Sequence, residues 1–471
     1  MRFAVVFLLG LLVLAGPNSA HANGRFPSSN QISFHPTDPN VFVTRTTFGL
    51  LVTRDDGDNF HWICEQLLQT RMLEDPALLV MGDSSTLVSL FIGQRRGTPD
   101  DCTWDFVSPD LQNRVVIDSI GDPSNPAAAW IVTSDGARPN AVWRTTDNGV
   151  TWAKLTDDFE NVLFETIEVA PSNTQRMYLT GAIPPTSMMA RQTFVFRSDD
   201  GGASWDQFPF NLETGTQIDL NIYLASVDPV DPDRVYMRVR GSPNDKLVVS
   251  EDGGETFHKV ISFSGMLGFA RSPDGQHLWV GGDHGTLEPG LFRSDDRGEN
   301  FDPVSGMVML GDGTTAPIPL RIGCLAVRGN ELWACANNFA DQFTLGYSLD
   351  QGSTFAPVLR FDEIQGPPPA CGSSTEVQQS CASQYPILVT TIGIDAGIDE
   401  GYDAGRQDAG PLEMDAGPPP ATTPPSGCSC DMVTSRSRDG WWTAAVGSAI
   451  LLALIYRARV SRRSRRAEPS V

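Results

Sequence analysis

The side chains best equipped for chemistry in this sequence are carboxylates. Aspartate and glutamate number 57 in 471 residues against 34 lysines and arginines, a formal net charge of −23. Hydrolysis of a glycosidic bond needs two carboxylates about 5 to 10 Å apart, but among so many acids no pair is singled out by spacing. His35, His61, His258, His277 and His284 show no metal-ligand spacing, and the sequence has no nucleophile motif or phosphate-cradling glycine loop. The residues therefore nominate no catalytic group, metal or cofactor. One aspartate does recur in a fixed setting, Ser/Thr-x-Asp-x-Gly-x-x-aromatic. It is Asp55, Asp147, Asp200, Asp252, Asp296 and Asp350 in octets starting at Thr53, Thr145, Ser198, Ser250, Ser294 and Ser348. A shortened copy, Thr98 to Trp104, keeps Asp100 and lacks the residue that would be the glycine. In this setting the carboxylate and hydroxyl serve as acceptors for turn N–H groups, the glycine takes a positive φ, and the aromatic packs back. That is turn chemistry, and it removes these seven aspartates from the catalytic candidates.

With the short copy included, successive starts lie 45, 47, 53, 52, 44 and 54 residues apart, the length of a four-stranded blade. Three strand-like segments precede each motif and one follows it, as in Gly268-Phe269-Ala270, then His277 to Val280, then Leu291 to Arg293. The expected fold is all-β, a β-propeller over residues 23–392. It has seven blades, or six if the Thr98 copy is not a blade. Residues 385–392, apolar and β-branched, are expected to add a closing strand. Each motif turn follows a third strand, so the loops before the third strands lie on the opposite face and are the natural ligand loops. They span residues 136–140, 181–192, 241–245, 282–290 and 337–343, with Arg138, Arg191, Asp245, Asp283, His284 and Asp341 as candidate contacts.

The repeated motif resembles that of the BNR or Asp-box propellers, a group that includes sialidases, sortilin-type receptors and xyloglucan-degrading enzymes. The resemblance covers about residues 32–361 and implies the fold, not an activity. The sialidase branch is not supported. Ile32-Ser33-Phe34-His35-Pro36 stands where that branch carries a Phe-Arg-Ile-Pro segment, and Tyr178, Tyr223, Tyr236 and Tyr347 include no recognisable nucleophile.

Both ends point to export. Arg2, an apolar run and Ala20-His21-Ala22 read as a signal peptide over residues 1–22. Residues 393–427, rich in Asp-Ala-Gly and proline, read as an acidic extended stalk. Cys428 and Cys430, the apolar stretch 440–456 and a cluster of arginines follow. This tail resembles the tripartite sorting tail of myxobacterial surface proteins, the MYXO-CTERM type. The resemblance implies cleavage near the cysteines by a processing protease, delivery to the cell surface and a lipid on a cysteine; the alternative is a permanent single membrane span. An oxidising compartment would allow disulfides. Cys324 and Cys335 are equidistant from a Gly329-Asn330 turn, Cys371 and Cys381 share one loop, and Cys64 and Cys102 pair by elimination. The acidic exported part excludes a nucleic-acid partner. The leading expectation is a non-enzymatic surface module binding a glycan or protein. The alternatives are an anchored glycoside hydrolase and a structural or assembly factor.

Overall fold

The computed structural model describes residues 26–71, 74–210, 218–283 and 290–392. Seven antiparallel sheets follow one another along the chain, over residues 29–64, 77–106, 116–154, 163–209, 218–263, 266–303 and 324–359. Each is a four-stranded meander, and the first strand of each lies against the first strands of the blades before and after it, with blade 7 returning to blade 1. The fold is a seven-bladed β-propeller. The shortened motif at Thr98 is the turn between the third and fourth strands of blade 2, which settles the count at seven. Middle strands covered by neighbouring blades on both faces are continuous apolar runs, such as Leu50-Leu51-Val52 and Leu247-Val248-Val249, all buried. A hairpin, Met307–Met309 with Thr315–Pro317, pairs in parallel onto the last strand of blade 7 and widens that sheet to six strands.

The repeated turn does two jobs. Within a blade, the Ser or Thr hydroxyl donates to the aspartate at 2.5–2.9 Å in all seven copies. In the six full copies the hydroxyl also accepts the glycine N–H at 2.8–3.0 Å, and that glycine sits at φ between 78° and 93°. The aspartate accepts the N–H four residues on at 2.7–3.0 Å in these copies. The Ser204 hydroxyl on its carboxylate holds Asp200 down at about 2, and Asn300 lowers Asp296 in the same way. In the short copy Thr98 Oγ1 accepts from Thr103 N instead, so the motif survives deletion of its glycine.

Between blades, the left-handed residue just before the glycine is the point the preceding blade grips. Arg96 donates to the carbonyl of Asn148, Arg197 to that of Gly253, Arg234 and Tyr236 to that of Arg297, and Trp279 to that of Gln351. At two further junctions the side chain at that position is held, Asp101 by Arg54 and Asp56 by Arg328, each at 2.7 Å. The repeat thus fixes blade-to-blade register as well as the turn. Ser294→Ala should leave the buried Gly298 N–H without its acceptor and lower stability by about 1–2 kcal/mol, measurable as a drop in Tm with the fold retained by circular dichroism.

Ring closure departs from the sequence expectation. Residues 385–392 do not form a strand: Tyr385–Thr391 is a helix, preceded by a second short helix, Glu376–Cys381. Pro386 in its first turn suits a helix start and cannot donate within a sheet. The chain after blade 7 instead runs as a strap across the outer edge of blade 1, where Trp62 N donates to Gln365 O at 3.2 Å. Two disulfides pin it there. Cys64 bonds to Cys381 and Cys102 to Cys371, so the expected pairings of Cys64 with Cys102 and of Cys371 with Cys381 are both wrong. Elimination along the sequence fails because the strap brings distant cysteines beside the first two blades. Cys324–Cys335 forms as expected, between directly opposed residues of a hairpin. The segments 1–22 and 393–471, with Cys428, Cys430 and the apolar stretch 440–456, lie outside the described residues. Among the described residues no helix is long and apolar enough to cross a membrane.

Candidate functional site

The seven first strands line a central channel. Motif turns and first-to-second-strand turns lie on one face, and the second-to-third-strand loops lie on the other, as the motif positions imply. On this loop face the first strands of five blades break their ladders near their starts. The register slips beside Asn30 in blade 1, Ile117 in blade 3, Glu165 in blade 4, Leu220 in blade 5 and Leu267 in blade 6. An extra residue of this kind re-aims a side chain out of the regular alternation. Two of these residues, Asn30 and Glu165, are polar. Asn30 and Leu267 line a cavity of about 250 Å³ together with Gln31, Tyr223, Arg238 and Phe269. Glu165 belongs to a network beside it. Asn221 Nδ2 donates to Glu165 at 2.8 Å and to Tyr223 Oη at 3.0 Å, while Arg191 donates to Asn221 Oδ1 at 2.6 Å and stands 3.6 Å from Glu165. Arg238 lies over the Tyr223 ring, 5.0 Å from its centroid, and donates to Met266 O at 2.9 Å.

Deeper in the channel, polar side chains of one first strand satisfy the open backbone edge of the next, as exposed edges require. Ser33 accepts from Val80 N, Asp118 from Ile167 N and Thr166 from Leu224 N, at 2.8–3.0 Å. Beside this seam sit Asp118, Glu168 and Arg271. Burial among the strands pushes the Asp118 carboxyl up to about 7. Burial, aided by Asp118, pushes that of Glu168 up to about 8. Enclosure also lowers Arg271, whose Nε is held by Ser226 at 2.7 Å.

These carboxylates give a pH prediction. Unfolded, both would titrate near 4. A folded value raised to 7 or 8 means that the folded state holds the proton more tightly, so this contribution to stability is complete below about pH 4 and is lost as pH rises through 7–8. Asp118→Asn with Glu168→Gln should therefore raise Tm at pH 8.5 relative to the parent and leave it nearly unchanged at pH 4. The motif aspartates act in the opposite sense. Their lowered values give a contribution present above about pH 4 and lost as pH falls towards 2.

The six loop candidates divide. Arg191 is part of the mouth network. Arg138 is paired with Asp135 at 2.6 Å and lines a separate groove of about 370 Å³ between blades 3 and 4, with Glu160, Pro184 and Pro185. Asp245 is buried and accepts Gly241 N at 3.0 Å. Asp341 is buried, which raises its carboxyl, and accepts from Arg321 N and Asn337 N at 2.9 and 3.0 Å. These two carboxylates hold loops in shape. Asp283 stands 4.0 Å from Arg321, and His284 lies outside the described residues. Sequence reasoning does not single out Glu165, Asn221 and Arg238, which the structure places at or beside the mouth, or the exposed Phe339, whose ring meets Phe26 edge-on at 5.5 Å on the loop face. Among the described residues no group of three or more His, Cys, Asp or Glu side chains could hold a metal.

Comparisons with known proteins return partial similarities. A family model described as "Sortilin, neurotensin receptor 3" matches residues 140–286. The repeats are of the Asp-box kind. Among curated proteins, a "Probable oligoxyloglucan-reducing end-specific xyloglucanase" of Neosartorya fischeri is 26% identical over 207 residues, 39% of this chain. The chain spans about a quarter of that relative's length. Among solved structures, the GH74 xyloglucanase from Xanthomonas campestris is 12% identical, with a TM-score of 0.37 over 70% of this chain and 72% of that one. A structure titled YCF48 bound to D1 peptide is 18% identical, with a TM-score of 0.40 over 65% and 90%.

Proposed function

We propose that this protein is a non-enzymatic binding module that presents its loop face to a glycan, held at the cell surface by the stalk and tail of residues 393–471. The observation that carries the reading is the channel mouth: Asn30 and Leu267, re-aimed by ladder breaks in blades 1 and 6, line one cavity, and Glu165, at the break in blade 4, joins a polar network beside it. Its groups are cross-linked for recognition. Arg191 and Glu165 balance each other, and Asn221 binds both Glu165 and Tyr223. No nucleophile is held by a base in this arrangement. The glycan class is supported by the partial relative, whose name refers to an oligoxyloglucan.

Hydrolysis is the second reading, because the channel does hold two carboxylates, Asp118 and Glu168. Their environment counts against it. Both carboxyls are raised, whereas the glycosidase pair works with one protonated and one ionised. Both oxygens of Asp118 are also engaged by backbone N–H groups of Ile167 and Ser119. The test is a glycan array and a peptide array probed with the full chain, alongside a hydrolysis screen on every glycan bound. Binding without product supports the module; release of product, or no binding on either array, overturns it. Mass spectrometry of the surface-exposed protein tests the anchor: recovery of residues 441–471 in the mature chain would defeat cleavage.

A further inference from the structure

We propose that the groove between blades 6 and 7 on the motif face, opposite the ligand loops, takes an arginine side chain of a partner polypeptide. The site does not depend on the glycan reading and lies on the other face of the ring. Aligning successive blades by strand register shows what is missing there. Met177, Val235, Leu278 and Leu332 each pair with the first residue of their own motif turn, so the residues before them are equivalent. In blades 4 and 5 these are Arg176 and Arg234, with a tyrosine two residues on, Tyr178 and Tyr236. Each arginine pairs with the acid of its own motif turn, Asp199 or Glu251, and also reaches the next blade. Arg176 pairs with Asp233, and Arg234 with Glu299 and the carbonyl of Arg297. In blade 6 the two places hold His277 and Trp279. His277 keeps its own-blade acid, Asp295, at 2.8 Å, and among the described residues it makes no hydrogen bond or ion pair to blade 7. Blade 7 lacks the matching acids as well: Asn330 and Ser353 stand where blades 5 and 6 carry Asp233 and Glu299.

A cavity of about 360 Å³ lies at this junction, within the range of roughly 300–1,000 Å³ typical of ligand pockets. Its lining includes Trp279, Asn330 and Gln351. These are the counterparts of Tyr236, Asp233 and Arg297, the groups that the arginines touch at the two preceding junctions. The cavity is therefore the space that an arginine fills elsewhere in the ring. Its acceptors are open. Arg297 O accepts from both Tyr236 and Arg234, whereas Gln351 O accepts only from Trp279 Nε1, at 3.1 Å, and keeps its second lone pair. Asp274 and Glu331, which also line the cavity, each use one carboxylate oxygen within the protein. Asp274 Oδ1 accepts from Ser272 and Gln276 N, and Glu331 Oε2 accepts from Arg328 and Trp333, which leaves Asp274 Oδ2 and Glu331 Oε1 for a ligand. Pro273, Val327 and the exposed Leu349 form an apolar wall for the aliphatic part of a long cationic side chain. Acceptors on both blades suit the several donors of a guanidinium better than the point charge of an ammonium. A net charge of −23 favours approach by a cation.

The test titrates the full chain, by calorimetry, with a short glycine-flanked arginine peptide and with the same peptide carrying lysine or the neutral isostere citrulline. The arginine peptide should bind at millimolar concentration and more weakly as salt is added. Lysine should weaken binding about fivefold, and citrulline should abolish it. His277→Arg with Asn330→Asp rebuilds within the chain the bridge of the preceding junctions, and it should remove peptide binding at unchanged or higher Tm. Asp274→Asn and Leu349→Ser, both at exposed positions, should each weaken binding about three- to tenfold at unchanged Tm. Arg138→Ala, on the loop face, should leave it unchanged. Equal binding of the citrulline peptide, binding that survives both the rebuilt bridge and the Asp274 and Leu349 variants, or no binding of the arginine peptide would each overturn the inference. The glycan array reads the other face: its failure would defeat the proposed function and leave this site standing, and failure of the peptide titration would do the reverse.

Discussion

Replacing the cysteines of either long-range disulfide by serine should lower stability by about 2–4 kcal/mol, and replacing both pairs should cost more than the two losses added. Cys64–Cys381 spans 317 residues and Cys102–Cys371 spans 269, so each restrains most of the unfolded chain. With one bond in place the other closes only a short additional loop, so one bond partly substitutes for the other. Removing the last one releases the whole ring. Cys324–Cys335 spans only 11 residues of a hairpin already held by its ladder, and its removal should cost less than either. Thermal unfolding without reductant checks the order of the four variants. Limited proteolysis checks the location: in the variant lacking both long-range bonds, cleavage should begin within residues 361–392, because the strap is then held only non-covalently, by outer-edge contacts at Asn59, Phe60 and Trp62 and by packing that includes Phe361, Ile364, Val377, Leu388 and Ile392. First cleavage in a blade interior would count against the strap as the closing element.

What the sequence reveals, and what it conceals, follows from the range over which each feature is determined. Blade number, strand order and the identity of the ligand face are local, because each rests on a turn of eight residues whose hydrogen bonds close within the turn. Even the damaged copy is legible, since Thr98 and Asp100 keep their spacing and Trp104 follows one residue early. The mouth is harder to read because its residues come from different blades and are aimed by ladder breaks. Glu165 sits in Leu-Phe-Glu-Thr-Ile-Glu-Val, a first strand with two acids where its neighbours in the second strand are apolar. That contrast was the available signal. Asp245 and Asp341 look identical to ligand contacts in sequence, and only burial and their backbone donors reveal them as loop anchors. The strap was misread because an apolar β-branched stretch of eight residues fits a strand or a buried helix equally well. Its proline and its two cysteines were the discriminating residues.

The second large effect belongs to the seam where blade 7 meets blade 1. Trp333→Ala should destabilise the protein by about 3–5 kcal/mol, the cost of removing a large buried aromatic side chain from a core. The indole is 1% exposed, with Phe42 at 5.2 Å and Phe34 at 5.4 Å from blade 1, and Tyr347 at 5.3 Å from its own blade. Arg328 stacks on it at 4.7 Å while bridging to Asp56 and donating to Pro39 O, so the same ring orients the cation that ties blade 7 to the first motif turn. Trp333, Cys381 and Leu388 share one hydrophobic cluster, so the seam and the strap close the ring through common packing. Their losses should therefore couple. In a double-mutant cycle, Trp333→Ala combined with Cys64→Ser and Cys381→Ser should depart from additivity by more than about 0.5 kcal/mol, the scatter usual for independent sites. Chemical unfolding of the four proteins measures it. Additive losses would mean that the blade 7 seam holds without the strap, and the disulfides would then serve only to secure the C-terminal segment.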